Sequence, residues 1–157
     1  INSSGDIIGW VDSNMKSAAA KLPEMIDQLN NNDVVLLSRY VEGGDDKRDK
    51  LRSFASRFLN WIYQLTLSKK IKDYTSGMFV MKRDVLLTAI PNCFGHGEFF
   101  VEFIYKAHKR GVKIYELPFI QPPDLEKRSK TASSLLHFIH LGFHYIGVIF
   151  HAHIRRN

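Results

Sequence analysis

Cysteine is nearly absent: Cys93 stands alone in 157 residues, which excludes an internal disulfide and suits a reducing compartment. Acid is in short supply. The 16 Asp and Glu are outnumbered by 22 Lys and Arg, for a formal +6. That balance favours anionic partners, whether phosphorylated ligands, an acidic membrane surface or nucleic acid. The basic residues form no stripe with interleaved aromatics, which argues against nucleic acid. Charge of either sign is missing from Thr131 to Ile154, and Arg155 and Arg156 follow. No segment repeats internally. An initial Met is absent too, so the chain is expected to be a piece of something longer.

What is present reads as an α/β domain. Residues 5–11 (GDIIGWV) predict a short buried strand. Residues 18–30 predict a helix, with Leu22, Met25, Ile26 and Leu29 at helical spacing. Residues 34–37 (VVLL) predict a strand buried on both faces, so the first three elements make a parallel βαβ unit. Residues 42–50 (EGGDDKRDK) predict a mobile surface loop. A long helix over 51–67 carries Phe54, Phe58, Trp61, Ile62 and Leu65 on its apolar side. Further strands are expected at 78–81 and 112–120, and helices at 83–90 and 98–110, the last ended by Gly111.

Several residues could carry chemistry. Asp12 follows the first strand, at the end where open α/β sheets bind ligands. Asp12 and Asn14 could both offer oxygen to a cation, whereas Lys16 has donors only. The same stretch could equally be a helix cap. Arg39, in Ser38-Arg39-Tyr40, follows the second strand and suits a phosphate. Arg52, Ser56 and Asn60 lie at i, i+4 and i+8 and form a polar stripe on the long helix. Asp73, Thr75, Ser76 and Gly77 form a turn. Glu98 and Glu102 share a helix face, and Glu102 could instead pair with Lys106. In the tail, His137, His140, His144 and His151 fall on one stripe. That stripe fits an amphipathic helix packed on the domain, a membrane-interface helix, or a metal site.

Taken in order, these pieces resemble the carboxyl-terminal two-thirds of a family 2 glycosyltransferase. The nearest resemblance is to the dolichyl-phosphate mannosyltransferase and polyprenyl-phosphate glycosyltransferase group. Asp12-Ser13-Asn14 stands at the Asp-x-Asp motif, with Leu22-Pro23-Glu24-Met25 downstream. Ser38-Arg39-Tyr40-Val41-Glu42-Gly43-Gly44 is the most specific match. Arg52, Ser56 and Asn60, then Asp73-Tyr74-Thr75-Ser76-Gly77-Met78, Glu116-Leu117-Pro118 and Ser129-Lys130, complete the series.

The resemblance implies a partial GT-A (Rossmann-like) domain at 1–130, with a mostly parallel sheet flanked by helices and without its amino-terminal nucleotide-binding strands. The charge-free His-striped tail occupies 131–157. It implies inverting transfer of a sugar from a GDP- or UDP-linked donor to a polyprenyl phosphate, at the cytoplasmic face of a membrane. Asp12, Arg39 and Arg52 take the catalytic positions. Asn14, Lys16, Ser38, Ser56, Asn60, Asp73, Ser76, Glu102, Ser129 and Lys130 take substrate positions. A divalent cation, Mg2+ or Mn2+, would sit on Asp12 and Asn14. Asn14 replaces the second Asp, and Lys16 falls two residues on, where a further ligand is expected. The Lys16 ammonium could therefore stand where the metal would. The competing reading is an inactive relative that binds a lipid phosphate or a partner.

Overall fold

The computed structural model describes residues 4–12, 16–89 and 98–123, apart from the side chains of residues 16 and 98. In chain order the elements are β1 (Ile7–Val11), a 3-10 turn (Lys16–Lys21), α1 (Leu22–Gln28), β2 (Val34–Ser38), β3 (Asp45–Asp46) and α2 (Lys50–Thr66). They continue with β4 (Met78–Lys82), α3 (Val85–Thr88), α4 (Glu98–Lys109), β5 (Ile114–Pro118) and β6 (Ile120–Gln121). Four strands make one sheet in the order β1-β4-β2-β5.

The expected mostly parallel sheet is mixed instead. β1 and β2 do run the same way, but β4 lies between them, antiparallel to both. Only β2 and β5 pair in parallel within this sheet. Burial explains the order. The β4 residues Met78, Phe79, Val80 and Met81 are all buried, so this strand needs neighbours on both sides. The apolar run of β1 predicts burial, but Ile7, Trp10 and Val11 are 43%, 49% and 49% exposed. It therefore takes one edge of this sheet, with β5 at the other.

β2 divides the core. Val34 and Leu36 face a cluster with Tyr63, Tyr74, Phe79, Phe100, Phe103 and Ile104. Val35 and Leu37 face the other side, against Met25, Leu29, Val80 and Leu117. The charged loop after β2 is built rather than loose. Gly43 has φ +82°, a conformation that suits glycine. A Cβ at Gly44 would lie 2.6 Å from the Ser38 carbonyl oxygen, so the loop passes flat against the strand end. β3 then pairs with β6, and Asp49 caps α2 by accepting from the Leu51 N–H at 3.0 Å. Among the described residues, no helix is long and apolar enough to cross a membrane. The tail, with its His stripe, lies outside the described residues, as do Ser129 and Lys130.

Candidate active site

The carboxyl end of β2, the turn before β4 and the first half of α2 meet in one buried polar network. Arg39 is its centre and is only 6% exposed. Its Nε and Nη2 donate to the two Asp73 oxygens at 2.8 Å each. Nη2 also donates to the Thr75 carbonyl at 3.0 Å and to Thr75 Oγ1 at 2.7 Å. Nη1 lies 3.6 Å from Asp46 Oδ2, which Arg48 grips in turn through Nε and Nη2. Two arginines thus neutralise two buried aspartates. Burial disfavours the Arg39 charge, but the Asp73 carboxylate outweighs that and raises its pKa. Burial likewise opposes ionisation of Asp46, yet the bonds and charges of Arg48 and Arg39 bring its carboxyl below the usual range.

This geometry changes the role expected of Arg39. Its place after a strand predicts a guanidinium that grips phosphate. The structure gives one already committed to Asp73 and Thr75, because the strand end places it against a buried carboxylate. It organises the site. Asp73 itself is fully buried and also accepts from the Arg39 backbone N–H at 3.1 Å. Its turn is held from below by Glu116 on β5. Glu116 accepts from the N–H of Asp73 at 2.9 Å and of Lys72 at 2.7 Å. Burial raises the Glu116 carboxyl, and these N–H bonds together with the Ser38 hydroxyl pull against that.

The polar stripe of α2 reaches into the same network. Asn60 is 1% exposed and donates to Thr75 Oγ1 at 2.8 Å and to the Ser56 carbonyl at 2.9 Å. Its own amide oxygen accepts from the Tyr74 N–H at 2.6 Å. Ser56 Oγ accepts from the Tyr40 hydroxyl at 2.9 Å. Ser76 is used locally, donating to the Met78 carbonyl at 3.0 Å. Arg52 stands one turn before Ser56 and is half-buried. Ser38, Ser56, Asn60, Asp73 and Ser76 are therefore gathered at one end of the sheet.

Asp12 joins them through the backbone, because its N–H donates to the Gly77 carbonyl at 2.9 Å. Desolvation raises its carboxyl, and the Trp10 indole N–H at 3.4 Å offsets part of this. Asp12 alone of the two expected metal ligands is described. Asn14 and the Lys16 side chain lie outside the described residues. Among the described residues no cluster of three His, Cys, Asp or Glu could hold a metal ion. Glu102 lies elsewhere: it is 7% exposed on α4 and pairs with Lys106, the local alternative. The Glu98 side chain is not described.

Sequence reasoning overlooked Asp46, and it overlooked Glu116 as the residue that fixes the Asp73 turn. A carboxylate inside the apolar β5 run was the available signal for Glu116. It also overlooked Arg57, which is exposed and places its guanidinium 5.3 Å from the Tyr40 ring centre.

Sheet order, flanking helices and the polar strand-end network define a GT-A-like glycosyltransferase fold. The chain belongs to glycosyl transferase family 2, whose model matches residues 2–88. The crystal structure of a mycobacterial protein is similar, with a TM-score of 0.69 and 16% identity, over 96% of this chain and 47% of that one. Glucosyl-3-phosphoglycerate synthase from Mycobacterium tuberculosis, in complex with Mn2+, uridine-diphosphate and phosphoglyceric acid, has a TM-score of 0.66 and 14% identity. The alignment covers 96% of this chain and 49% of that one. The same enzyme with uridine-diphosphate has a TM-score of 0.61 and 15% identity, over 96% and 50%. The chain thus spans about half the length of the solved structures it matches.

Proposed function

We propose that the protein transfers a sugar, with inversion, from a nucleotide sugar to a polyprenyl phosphate. The carrying observation is the convergence of Ser38-Arg39-Tyr40, the Asp73 turn and the α2 polar stripe on one buried network beside Asp12. A phosphate acceptor is already an anion at neutral pH, so the protein's task is orientation and charge stabilisation rather than strong base catalysis. Arg39 positions the turn. Arg52 and Lys130 are assigned to phosphate, and Ser56 and Asn60 hold the acceptor side of the helix. Ser129, beside Lys130 in the chain, is assigned to the substrate, whereas the buried Glu102 is taken by Lys106.

Asp12, with the Asn14 amide oxygen, would hold a divalent cation, which supplies positive charge for the departing diphosphate. The Lys16 ammonium is the alternative source of that charge. The 131–157 tail is assigned to a membrane surface on the cytoplasmic side.

The order of the Ser-Arg-Tyr, Asp-x-Thr-Ser-Gly and Glu-x-Pro segments supports the lipid-phosphate acceptor. The likeness to glucosyl-3-phosphoglycerate synthase favours a second reading, in which the acceptor is a small phosphorylated acid. The full-length protein decides between them when supplied with labelled UDP- and GDP-sugars and either acceptor, with and without Mn2+ or Mg2+. Label in a lipid product supports the proposal. Label only in a phosphoglycerate product supports the second reading. No transfer under any condition contradicts both and leaves a binding protein.

A further inference from the structure

Asp12 is fixed from two directions. Its backbone N–H donates to the Gly77 carbonyl at 2.9 Å, one step beyond the Val11–Met78 pair, so it prolongs the β1–β4 ladder. Its Oδ1 accepts from the indole N–H of Trp10 at 3.4 Å. The two side chains meet because residues i and i+2 of a strand share a face. Trp10 is braced in turn. Its ring stands edge-on to Phe99 of α4, with centres 5.0 Å apart, and Phe99 packs against the larger core cluster. A row of contacts thus runs from the core through Phe99 and Trp10 to the Asp12 carboxylate.

Two plainer readings explain less. A helix cap accepts from the backbone N–H groups of its own helix, and among the described residues the Asp12 carboxylate accepts only from the indole. A core tryptophan is covered, whereas Trp10 is 49% exposed. The indole has one donor and no acceptor, and that donor is spent on Asp12. The other carboxylate oxygen, Oδ2, has no partner among the described residues. One oxygen is tied and one is open. Hard divalent cations take carboxylate oxygen, and the hydrogen-bond partner of a ligating carboxylate sets its orientation and tunes affinity.

We infer that Trp10 is a positioning residue, whose indole N–H, braced by Phe99, holds Oδ1 of Asp12 and leaves Oδ2 for a divalent cation. This deepens the proposed function at its charge-stabilising step and rests on that reading. It assigns the role to a residue outside the Asp12-Ser13-Asn14 segment itself.

The test uses the full-length protein carrying 5-fluorotryptophan, with Mn2+ and Mg2+ as probes, alone and with UDP or GDP. The Trp10 fluorine signal is the one missing from Trp10→Phe. Mn2+ is expected to broaden it and Mg2+ to shift it, and Asp12→Ala is expected to abolish both effects. Affinity is read from Mn2+ electron paramagnetic resonance against the same mixture without protein. Trp10→Phe keeps a ring against Phe99 but has no donor. It is expected to weaken Mn2+ binding about tenfold, with thermal unfolding nearly unchanged. Equal Mn2+ affinity in Trp10→Phe and wild type overturns the proposal. So does Mn2+ binding that Asp12→Ala leaves intact. Absence of Mn2+ binding by the wild type, with or without nucleotide, overturns it as well and leaves the Lys16 ammonium as the source of positive charge. Sugar transfer is measured separately. A wild type that binds Mn2+ through Asp12, more weakly without the indole, yet transfers no sugar counts against the proposed function and not against the role of Trp10.

Discussion

Among the described residues α2 and α4 are the two long helices, and they use amphipathicity in opposite ways. α4 turns Phe100, Val101, Phe103, Ile104 and Ala107 inward, and all five are buried. α2 turns Ser56, Asn60 and Tyr63 inward and leaves its phenylalanines and tryptophan in solvent. α4 is held by area removed from water. α2 buries Tyr63 in the same core, and adds hydrogen bonds to a buried turn, where each unmet donor or acceptor is costly. The first helix serves the core. The second serves the site and presents an apolar row outward.

The comparison breaks most severely from the α4 side. Phe103 is fully buried, with ring centres 5.6 Å from Phe79 and 6.5 Å from Phe100. Phe103→Ala is expected to cost about 3–5 kcal/mol in urea unfolding. On the polar side, Asp73→Ala strands the buried Arg39 charge and is expected to cost a similar ~3–5 kcal/mol. It should abolish transfer even in protein that remains folded at low temperature. Asn60→Ala removes one acceptor bond and two donor bonds. It is expected to cost about 1–3 kcal/mol, and to lower kcat because Thr75 loses a partner.

Acid sharpens the contrast. The folded-state pKa of Asp46 lies below its unfolded value, because Arg48 and Arg39 outweigh its burial. Its contribution is therefore present above the unfolded value of about 3.9 and is lost as pH falls through the folded one. Stability measured by denaturant titration is expected to decline below about pH 4, and Asp46→Asn is expected to flatten that decline. The smallest effect belongs to the outer row of α2. Phe58→Ser is expected to change stability by no more than about 0.5 kcal/mol, against several for an inward phenylalanine of α4.

Much of this is legible in the amino-acid sequence. The all-apolar VVLL run reads as a strand covered on both faces, and it is one. The helical periods of α2 and α4 are visible as well. The direction each helix faces is not, because spacing gives a stripe and not what the stripe meets. Only the Asp73 turn, far along the chain, makes the polar side of α2 the inner one. The sheet order is hidden for a similar reason. MFVM follows VVLL with a long helix between them, and nothing local says that it inserts between two earlier strands. For the site, motif order places Arg39, Ser56, Asn60 and Asp73 together. It does not reveal that Arg39 is consumed by Asp73, since a guanidinium reads the same whether its partner is a carboxylate or a phosphate.

The most direct measurement is sugar transfer by the full-length protein to polyprenyl phosphate in anionic vesicles, with labelled nucleotide sugars, comparing wild type with Arg52→Ala. The account predicts a labelled lipid product in the wild type and its loss in the variant. A wild type that makes no lipid product, or an Arg52→Ala variant that makes as much, would contradict it.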